Sequence, residues 1–505
     1  MYMKHKKLII STLLLSLLLA SCASGGDDHS DVTSTPDSAD TDGSSTAETL
    51  PPEKTLDLPD TDFGGREFRV LSYGNSKYTQ FQNFEVSSDG ENGDVVNDAV
   101  FRRNRAIEDK YNVKIAEYRD DSNEDFWTST LPLLRQTTMA GEDLYDLAFM
   151  NLEAIGAAAR EDLLLDLNEI KYIDFSKDWW NPKVNEALEI NKKLYFTSSD
   201  FSLRDKNRTY IISFNKRIVE DNMLGDPFSI VRDGKWTLDV MTEWAMTASG
   251  DLNGNGEVDY TDAFGIGTDS ENAFVAMVYS CGVNALKNDS DGRPQLNLNN
   301  EHTVNAIDKA MALYSKPDIS LNCSDYNGKD TGSLAPTAVA STAFNEGRLL
   351  FNVSFAHSLK GYSANCVDDY GILPFPKYDE NQSDYITYAD VYGMLFCVPA
   401  SCGDPDFAGF MLEALSAAST DTTLKAYYEV SCKTKYTYDP DSAEMLDLAF
   451  SNIVYDTSRI YNINGVHDLL HTMAGKKKNN LASSYATIEK KASADLDKLW
   501  EDFGE

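Results

Sequence analysis

Short strand patterns alternate with helix-period patterns along most of this 505-residue chain, and the alternation limits the folds open to it. REFRVLSYG, at 66–74, alternates apolar and polar side chains as a strand does, and a helical stripe of Val96, Val100 and Ile107 follows. YDLAFM, at 145–150, is typical of a short buried strand. Because the same order recurs towards the C-terminus, we predict an α/β fold with mostly parallel sheets and two lobes.

The N-terminus has the pattern of an export signal. Lys4, Lys6 and Lys7 precede an apolar run that suits a signal peptide better than a membrane span, and the run ends Leu-Ala-Ser-Cys at 19–22. This tetrapeptide resembles the bacterial lipobox, which implies a signal peptide at 1–21 and acylation of Cys22, as with palmitate. Ordinary secretory cleavage, leaving Cys22 as a free thiol, is the alternative. Residues 22–61 carry almost no large apolar side chain, so we predict a disordered tether there.

The formal net charge of −36 restricts the classes of partner. Such a field repels nucleic-acid phosphates and anionic lipid, so we expect no nucleic-acid partner and membrane attachment through the lipid anchor only. It also disfavours an anionic ligand unless a local basic pocket offsets it.

Catalytic motifs are missing from the sequence. There is no nucleophile elbow, phosphate-binding loop or dinucleotide fingerprint, and HDLLH at 467–471 lacks the glutamate of a zinc protease helix. Six cysteines follow Cys22, and their pairing is left open by the sequence. We predict no enzymatic activity.

The stretch DLNGNGEVDYTD, at 251–262, has the spacing of a calcium loop. Calcium prefers hard oxygen ligands at alternate positions, with a glycine at the sharp turn, here Gly256. The predicted ligands are Asp251, Asn253, Asn255, Glu257 through its backbone carbonyl, Asp259 and Asp262. The last position is Asp rather than the usual bidentate Glu, and a solvated Asp/Asn turn is the alternative. We predict one structural Ca²⁺.

Several segments together resemble the family 1 extracellular solute-binding proteins of ABC importers, which mostly serve sugars. The segments are ISFNKRIVED (212–221), DGKWTLDVM (233–241), AFNEGRLLFNVSF (343–355), YGILPFPKYDENQSDY (370–385) and YGMLFCVPA (392–400). Each is weak alone, and their order and spacing carry the resemblance. It implies a periplasmic-binding-protein-like fold in which two lobes, joined by hinge segments, enclose a ligand cleft.

The chain path of that family implies a first lobe at 62–202 and 390–455 and a second lobe at 203–389 and 456–505. The implied function is a surface-tethered lipoprotein, on the outer face of a bacterial cell membrane, that acts as a monomer. It captures a carbohydrate, an oligosaccharide above all, and delivers it to the transmembrane subunits of an ABC permease. The alternatives are a peptide-binding importer component and an exported glycan-active enzyme or adhesion module.

A sugar cleft needs aromatic ring faces flanked by carboxylates and amides. The predicted ligand-binding residues are Asn151, Trp179, Trp180, Asp200, Phe355, Tyr388 and Asp390. Core packing is the alternative for Phe355 and for at least one of the tryptophans. Arg204 and Arg208 either pair with neighbouring acids or serve the cleft if the ligand is acidic.

Overall fold

Two separate β-sheets, each covered by helices, organise the chain. The computed structural model describes residues 56–437 and 439–504. The strands are β1 (Arg66–Tyr73), β2 (Val113–Asp120), β3 (Leu147–Asn151), β4 (Tyr210–Asn215), β5 (Phe264–Thr268), β6 (Leu286–Asn288), β7 (Pro294–Leu296), β8 (Ser320–Asn322), β9 (Leu349–Phe355), β10 (Tyr370–Leu373), β11 (Thr387–Tyr388), β12 (Met394–Cys397) and β13 (Ile453–Val454).

The helices lie between these strands. They are α1 (Val95–Tyr111), α2 (Leu131–Met139), α3 (Leu152–Arg160), α4 (Pro182–Leu188), α5 (Arg204–Asn207), α6 (Lys216–Asp221), α7 (Pro227–Arg232), α8 (Leu238–Thr247), α9 (Glu271–Ser280), α10 (Glu301–Tyr314), α11 (Val339–Asn345), α12 (Leu359–Asn365), α13 (Pro405–Ser419), α14 (Pro440–Ser451), α15 (Thr457–Ile460), α16 (Asp468–Lys476) and α17 (Leu481–Asp502). A π-helical stretch, Ala426–Tyr436, lies between α13 and α14.

The first sheet has the order β12-β3-β1-β2. Strand β1 runs parallel to β2 and β3, whereas β12 returns from late in the chain and pairs antiparallel with β3. Phe68 and Val70 of β1 are fully buried against Phe407 and Met411 of α13. The sequence patterns at 66–74 and 145–150 therefore form neighbouring strands of one lobe, as predicted.

The second sheet has the order β10-β4-β9-β5-β8 and is mixed rather than mostly parallel. Strand β4 is antiparallel to β9 and β10, while β5 is parallel to β8 and β9. Every residue of β9 is buried, which fits a strand covered on both faces. Trp236, Trp244 and Phe351 pack together on one of those faces.

Two chain segments cross between the sheets side by side. Thr197 forms an isolated antiparallel bridge with Phe396, and Thr209 forms another with Ala389. Between the two bridges, the Ser202 hydroxyl donates to the backbone oxygen of Met394 at 3.2 Å. A third connection lies beside them, since β11 pairs in parallel with β13. The sequence pattern of KLYFTSS, at 193–199, predicts a strand, but this stretch belongs to a crossing segment and forms isolated bridges instead.

The observed packing differs from the predicted lobe boundaries at two places. Helix α14, within the range 390–455 given to the first lobe, packs against β10 of the second sheet, where the Ser442 hydroxyl accepts the Ile372 amide at 3.1 Å. Leu56 and Leu58, within the predicted tether, pack against the first-lobe core. The predicted signal peptide at 1–21, the acylation site Cys22 and tether residues up to 55 lie outside the described residues.

The structure also bears on the pairing of the cysteines and on membrane-spanning helices. The six cysteines at 281, 323, 366, 397, 402 and 432 are free thiols, so no disulfide links these described positions. In the part of the chain that the structure describes, no helix is long and apolar enough to cross a bilayer.

Candidate ligand-binding cleft

A cavity of about 710 Å³ lies where the lobes and the crossing segments meet. The first lobe supplies residues from the chain after β1, at 79–87, and from the start of α1. The second lobe supplies Ala356, His357 and Lys360, which follow β9, and the π-helical stretch adds Tyr427. Strands of α/β sheets present their carboxyl ends to ligands, and both β1 and β9 end at this cavity.

Two arginines of the first crossing segment line the cavity. Arg204 begins α5 and Arg208 follows its end, and the two residues are only 4% and 6% exposed. Nη1 of Arg204 donates to Oδ1 of Asn207 at 3.3 Å, and Nη2 of Arg208 donates to the backbone oxygen of Gln80 at 3.2 Å. Burial lowers the pKa of Arg204 to about 9, and the neighbouring Arg208 charge adds to that effect.

Aromatic rings surround the Arg208 guanidinium. Its Cζ lies 5.3 Å from the ring centres of both Phe81 and Phe355 and 5.6 Å from that of Tyr392, within the range of a cation–π contact. Phe81 stacks on Tyr392 with ring centres 5.2 Å apart. The β4–β9 register places Tyr210 opposite Phe355, and their ring centres are 4.3 Å apart. Arg208 therefore joins aromatic residues from the first lobe, the second lobe and the crossing segments.

Three buried or half-buried carboxyl groups lie near the arginines. Burial raises the pKa of Asp390 to about 6, with Oδ1 accepting the Tyr392 amide at 2.9 Å. Burial and the neighbouring Asp390 raise the pKa of Asp269 to about 7. Glu85 is fully buried, which raises its pKa, and Oε1 accepts the Arg204 amide at 3.1 Å.

Trp127 presents an aromatic face beside the second crossing segment. Its side chain is 41% exposed, and its ring packs 5.2 Å from Tyr392 of the second crossing segment. Asn151 holds this loop in place, since Nδ2 donates to the backbone oxygen of Phe126. An exposed indole fixed beside a hinge is suited to stacking on a sugar ring.

Three of the predicted ligand-binding residues lie at the crossing. Phe355 is 6% exposed and contacts Arg208, as above, and its ring stacks on the cavity residue His357. Tyr388 and Asp390 are each 1% exposed on the second crossing segment. Burial raises the pKa of Tyr388. The structure brings these three side chains together, and their contact with a ligand stays a prediction.

The other four lie away from the larger cavity. The indole N–H groups of Trp179 and Trp180 both donate to Glu413, at 3.1 and 3.0 Å, and both rings are buried. Asp200 accepts from the Thr420 hydroxyl at 2.6 Å, and with the two tryptophans it lines a second cavity of about 330 Å³. Asn151 caps α3, accepting the Ala154 amide at 2.8 Å. These contacts give each side chain a structural partner, and ligand binding by them stays a prediction.

The predicted calcium loop closes on itself. Asp251 accepts the amides of Gly254 and Gly256 at 2.7 and 2.8 Å, and both glycines have positive φ angles. The buried Asp262 accepts the amides of Leu252 and Asp259, and a bridge between Gly250 and Ala263 closes the ends. Among the described residues, no group of three or more His, Cys, Asp or Glu is placed to hold a metal ion. A site here would depend on the amide and carbonyl oxygens of Asn253, Asn255 and Glu257.

The sequence predictions missed part of the aromatic cluster beside the cavity. Phe81, Trp127 and Tyr392 were not predicted, although each belongs to the aromatic cluster around the hinge. For Arg204 and Arg208 the sequence left two alternatives open, pairing with neighbouring acids or serving the cleft of an acidic ligand. The signal available for them was their position four residues apart at a predicted crossing, in a strongly acidic chain.

Comparisons with known proteins identify the fold. No protein-family model matches the sequence, and no curated protein matches it. A cyclo/maltodextrin-binding protein complexed with maltotetraose is similar in structure, with a TM-score of 0.53, 13% identity, and 87% of this chain and 97% of that chain covered. An extracellular solute-binding protein from Staphylococcus aureus in complex with maltose has a TM-score of 0.52 and 14% identity, with 88% of this chain and 97% of that chain covered. UgpB from Mycobacterium tuberculosis in complex with glycerophosphocholine has a TM-score of 0.52 and 13% identity, with 86% of this chain and 100% of that chain covered.

The chain has the fold of the extracellular solute-binding proteins. The predicted two-lobe α/β fold is confirmed, and the cavity lies where the two lobes and the crossing segments meet. At such low identities the likeness fixes the fold alone, and glycerophosphocholine differs in chemistry from the maltotetraose and maltose of the other two structures. The ligand of this chain has to be inferred from its own cleft.

The buried Glu413 carboxyl should make the stability of the folded protein depend on pH. Burial raises its pKa to about 7, from an ordinary value of 4.5, while the two indole N–H donors oppose the rise. The folded state therefore retains this proton more strongly than the unfolded chain, and stability falls as pH rises from 4.5 to about 7. Glu413→Gln should remove this loss, so its unfolding free energy relative to wild type should rise by roughly 2–3 kcal/mol across the window.

Chemical denaturation at a series of pH values measures this difference. Glu301→Gln, at an exposed position at the start of α10, serves as the control and should keep the wild-type profile. Parallel profiles for wild type and Glu413→Gln would contradict the assignment.

Proposed function

We propose that this protein is the substrate-binding component of an ABC importer that captures a saccharide between its lobes and delivers it to the permease. The observation that carries the proposal is the 710 Å³ cavity at the paired crossing segments, lined from both lobes. Its volume is in the range of small-molecule sites and accommodates an oligosaccharide. The carbohydrate-bound proteins of the same fold support a sugar as the ligand.

The geometry suits capture by closure. The lobes are joined by crossing segments with isolated bridges, so small backbone rotations there can change the lobe separation without breaking either sheet. Amide side chains of Gln82, Asn83 and Asn97 line the cavity on the first lobe, and His357 lines it on the second. These groups can exchange hydrogen bonds with sugar hydroxyls as the lobes approach.

The proposal treats the protein as a binding protein without enzymatic activity. Structural contacts engage two of the buried carboxyl groups near the cleft, since Glu85 accepts the Arg204 amide of α5 and Oδ1 of Asp390 accepts the Tyr392 amide. The lipobox-like sequence at 19–22 supports attachment through acylated Cys22 to the outer face of the cell membrane, beside the permease. A monomer suffices for this role, because one chain supplies both walls of the cleft.

Trp127 provides a test of sugar binding. Isothermal titration with a panel of oligosaccharides and short peptides should give binding to one family of saccharides. Trp127→Ala should weaken that binding about three- to tenfold, because a ring face for stacking is lost.

Tyr118 offers a matched control. It is 42% exposed on β2 and donates to Glu67 outside the cleft, so Tyr118→Ala should keep wild-type affinity. Binding of peptides in place of saccharides would contradict the proposal. Equal affinity for wild type and Trp127→Ala would remove Trp127 from the cleft.

We also propose that the loop at 251–262 holds a structural Ca²⁺. The residues that would hold it are Asp251, Asn253, Asn255, Asp259 and Asp262, with the backbone carbonyl of Glu257. The support is the sequence spacing and the closed loop with glycines at its turns. Bound calcium would supply charge neutralisation for the aspartates and fix the loop without entering the cleft.

Removal of calcium tests this site. Chelation should lower the melting temperature and added Ca²⁺ should restore it, because an ion that binds only the folded state at 100 times its dissociation constant adds about 2.7 kcal/mol. Asp259→Ala should abolish the calcium dependence. Asp291→Ala, in the aspartate-bearing turn at 289–292, should retain it. A melting temperature unaffected by chelator would contradict the proposal.

A further inference from the structure

We infer that the saccharide bound in this cleft carries an anionic group, a carboxylate or a sulfate or phosphate ester, and that Arg204 and Arg208 hold it. The inference rests on the proposed saccharide-binding function and adds the chemical class of the ligand. It is carried by the position, burial and unused hydrogen-bond donors of the two arginines. Arg103, which is also buried without an ion pair among the described residues, instead donates its N–H groups to Asn104, Ser419 and the backbone oxygen of Glu85.

The two guanidinium groups are buried beside each other without a direct counterion. Arg204 and Arg208 lie one helical turn apart, and neither forms an ion pair with any residue that the structure describes. Burying two like charges is costly unless an opposite charge compensates them. By contrast, the buried Arg459 pairs with Glu153 at 2.9 Å, and Arg69 pairs with Asp146 at 2.7 Å.

The arginines also have unused hydrogen-bond donors. Nε and Nη2 of Arg204 and Nε of Arg208 are buried and have no acceptor among the described residues. The bonds that do form, to Asn207 and to the Gln80 backbone, hold each guanidinium at the cavity wall. A guanidinium with free N–H groups matches the paired oxygens of a carboxylate, sulfate or phosphate.

The charges of the residues that line the cavity also favour an anionic ligand. Its lining contains four cationic side chains, Arg119, Arg204, Arg208 and Lys360, and one carboxylate, Asp94. Asp94 is engaged as the cap of α1, accepting the amides of Val96 and Asn97. In a chain of net charge −36, a cationic cleft is a local reversal of the surrounding field.

The neighbouring carboxyl groups leave room for a ligand anion. Oε1 and Oε2 of Glu85 accept backbone amides of Arg204 and Phe84. Asp390 and Asp269 lie near Arg208 without forming an ion pair with it. Burial raises the pKa of Asp390 to about 6 and that of Asp269 to about 7, so it disfavours the charged form of each carboxyl. Among the arginines that line the cavity, Arg119 alone forms an ion pair with a carboxylate, that of Glu117 at 2.9 Å.

Matched ligands that differ only in charge test the inference. Isothermal titration would compare maltotriose with its 6-phosphate and 6-sulfate esters, and trigalacturonate with its neutral methyl ester. The anionic member of at least one pair should bind at least tenfold more tightly. The ester and uronate arms distinguish a phosphate or sulfate from a carboxylate as the recognised group.

Arg204→Gln separates a ligand-binding role from a structural one. The variant should lose roughly tenfold to a hundredfold in affinity for the charged ligand, as expected for a charge-assisted hydrogen bond, and should bind the neutral partner unchanged. Its melting temperature without ligand should stay the same or rise, because one of two repelling buried charges is gone. Arg135→Gln, which removes an exposed arginine paired with Glu161 on the first lobe, should change neither quantity.

The outcomes distinguish the two proposals. Equal binding of charged and neutral saccharides, or equal loss of both in Arg204→Gln, overturns the inference and leaves saccharide binding standing. A marked fall in the melting temperature of unliganded Arg204→Gln also overturns it, since the arginine would then be structural. Failure of every saccharide to bind overturns both proposals.

Discussion

The antiparallel pairing of two crossing segments is the constraint on which the structure depends. The bridges Thr197–Phe396 and Thr209–Ala389 hold the two crossing segments together, with the Ser202–Met394 hydrogen bond between them. The same stretch carries α5, so the pairing that joins the lobes also sets Arg204 and Arg208 in the cleft wall. In the proposed function, the hinge and the binding surface are one element, so ligand contact would be coupled to lobe separation.

Arg208 illustrates this coupling. It contacts Phe81 from the first lobe, Phe355 from the second and Tyr392 from the second crossing segment. A cation at the centre of such a cluster stabilises the rings through their quadrupoles, yet it stays costly to bury without an anion. A ligand anion beside Arg204 and Arg208 would lower that cost, so binding and lobe closure would favour each other.

Local patterns in the sequence predicted local structure well. The alternation at 66–74 became β1 and the helical stripe from Val96 became α1, because each pattern reports its own buried face. The pattern at 193–199 was wrong because a crossing segment can alternate apolar side chains and still have no neighbouring strand to pair with along its length. The π-helical stretch Ala426–Tyr436 has no periodicity that distinguishes it from an α-helix.

The cleft was harder to predict because its residues are distant in sequence. The resemblance, which carries the chain path, indicated Tyr388 and Asp390 at a crossing and Phe355 as a stacking aromatic after a strand. The roles of Trp179 and Trp180 depend on Glu413, more than two hundred residues away, and no local pattern reports that partner. Arg208 meets Phe81 and Tyr392 only in the folded chain, so its charge was visible in the sequence and its surroundings were not.

The central claim, that the lobes close on a saccharide, is tested most directly by small-angle X-ray scattering of the folded domain with and without a saturating saccharide. The account predicts a smaller radius of gyration in the saturated protein, because the crossing segments allow the lobes to approach while the sheets remain intact. An unchanged radius of gyration, at a saccharide concentration that calorimetry shows to be saturating, would contradict it.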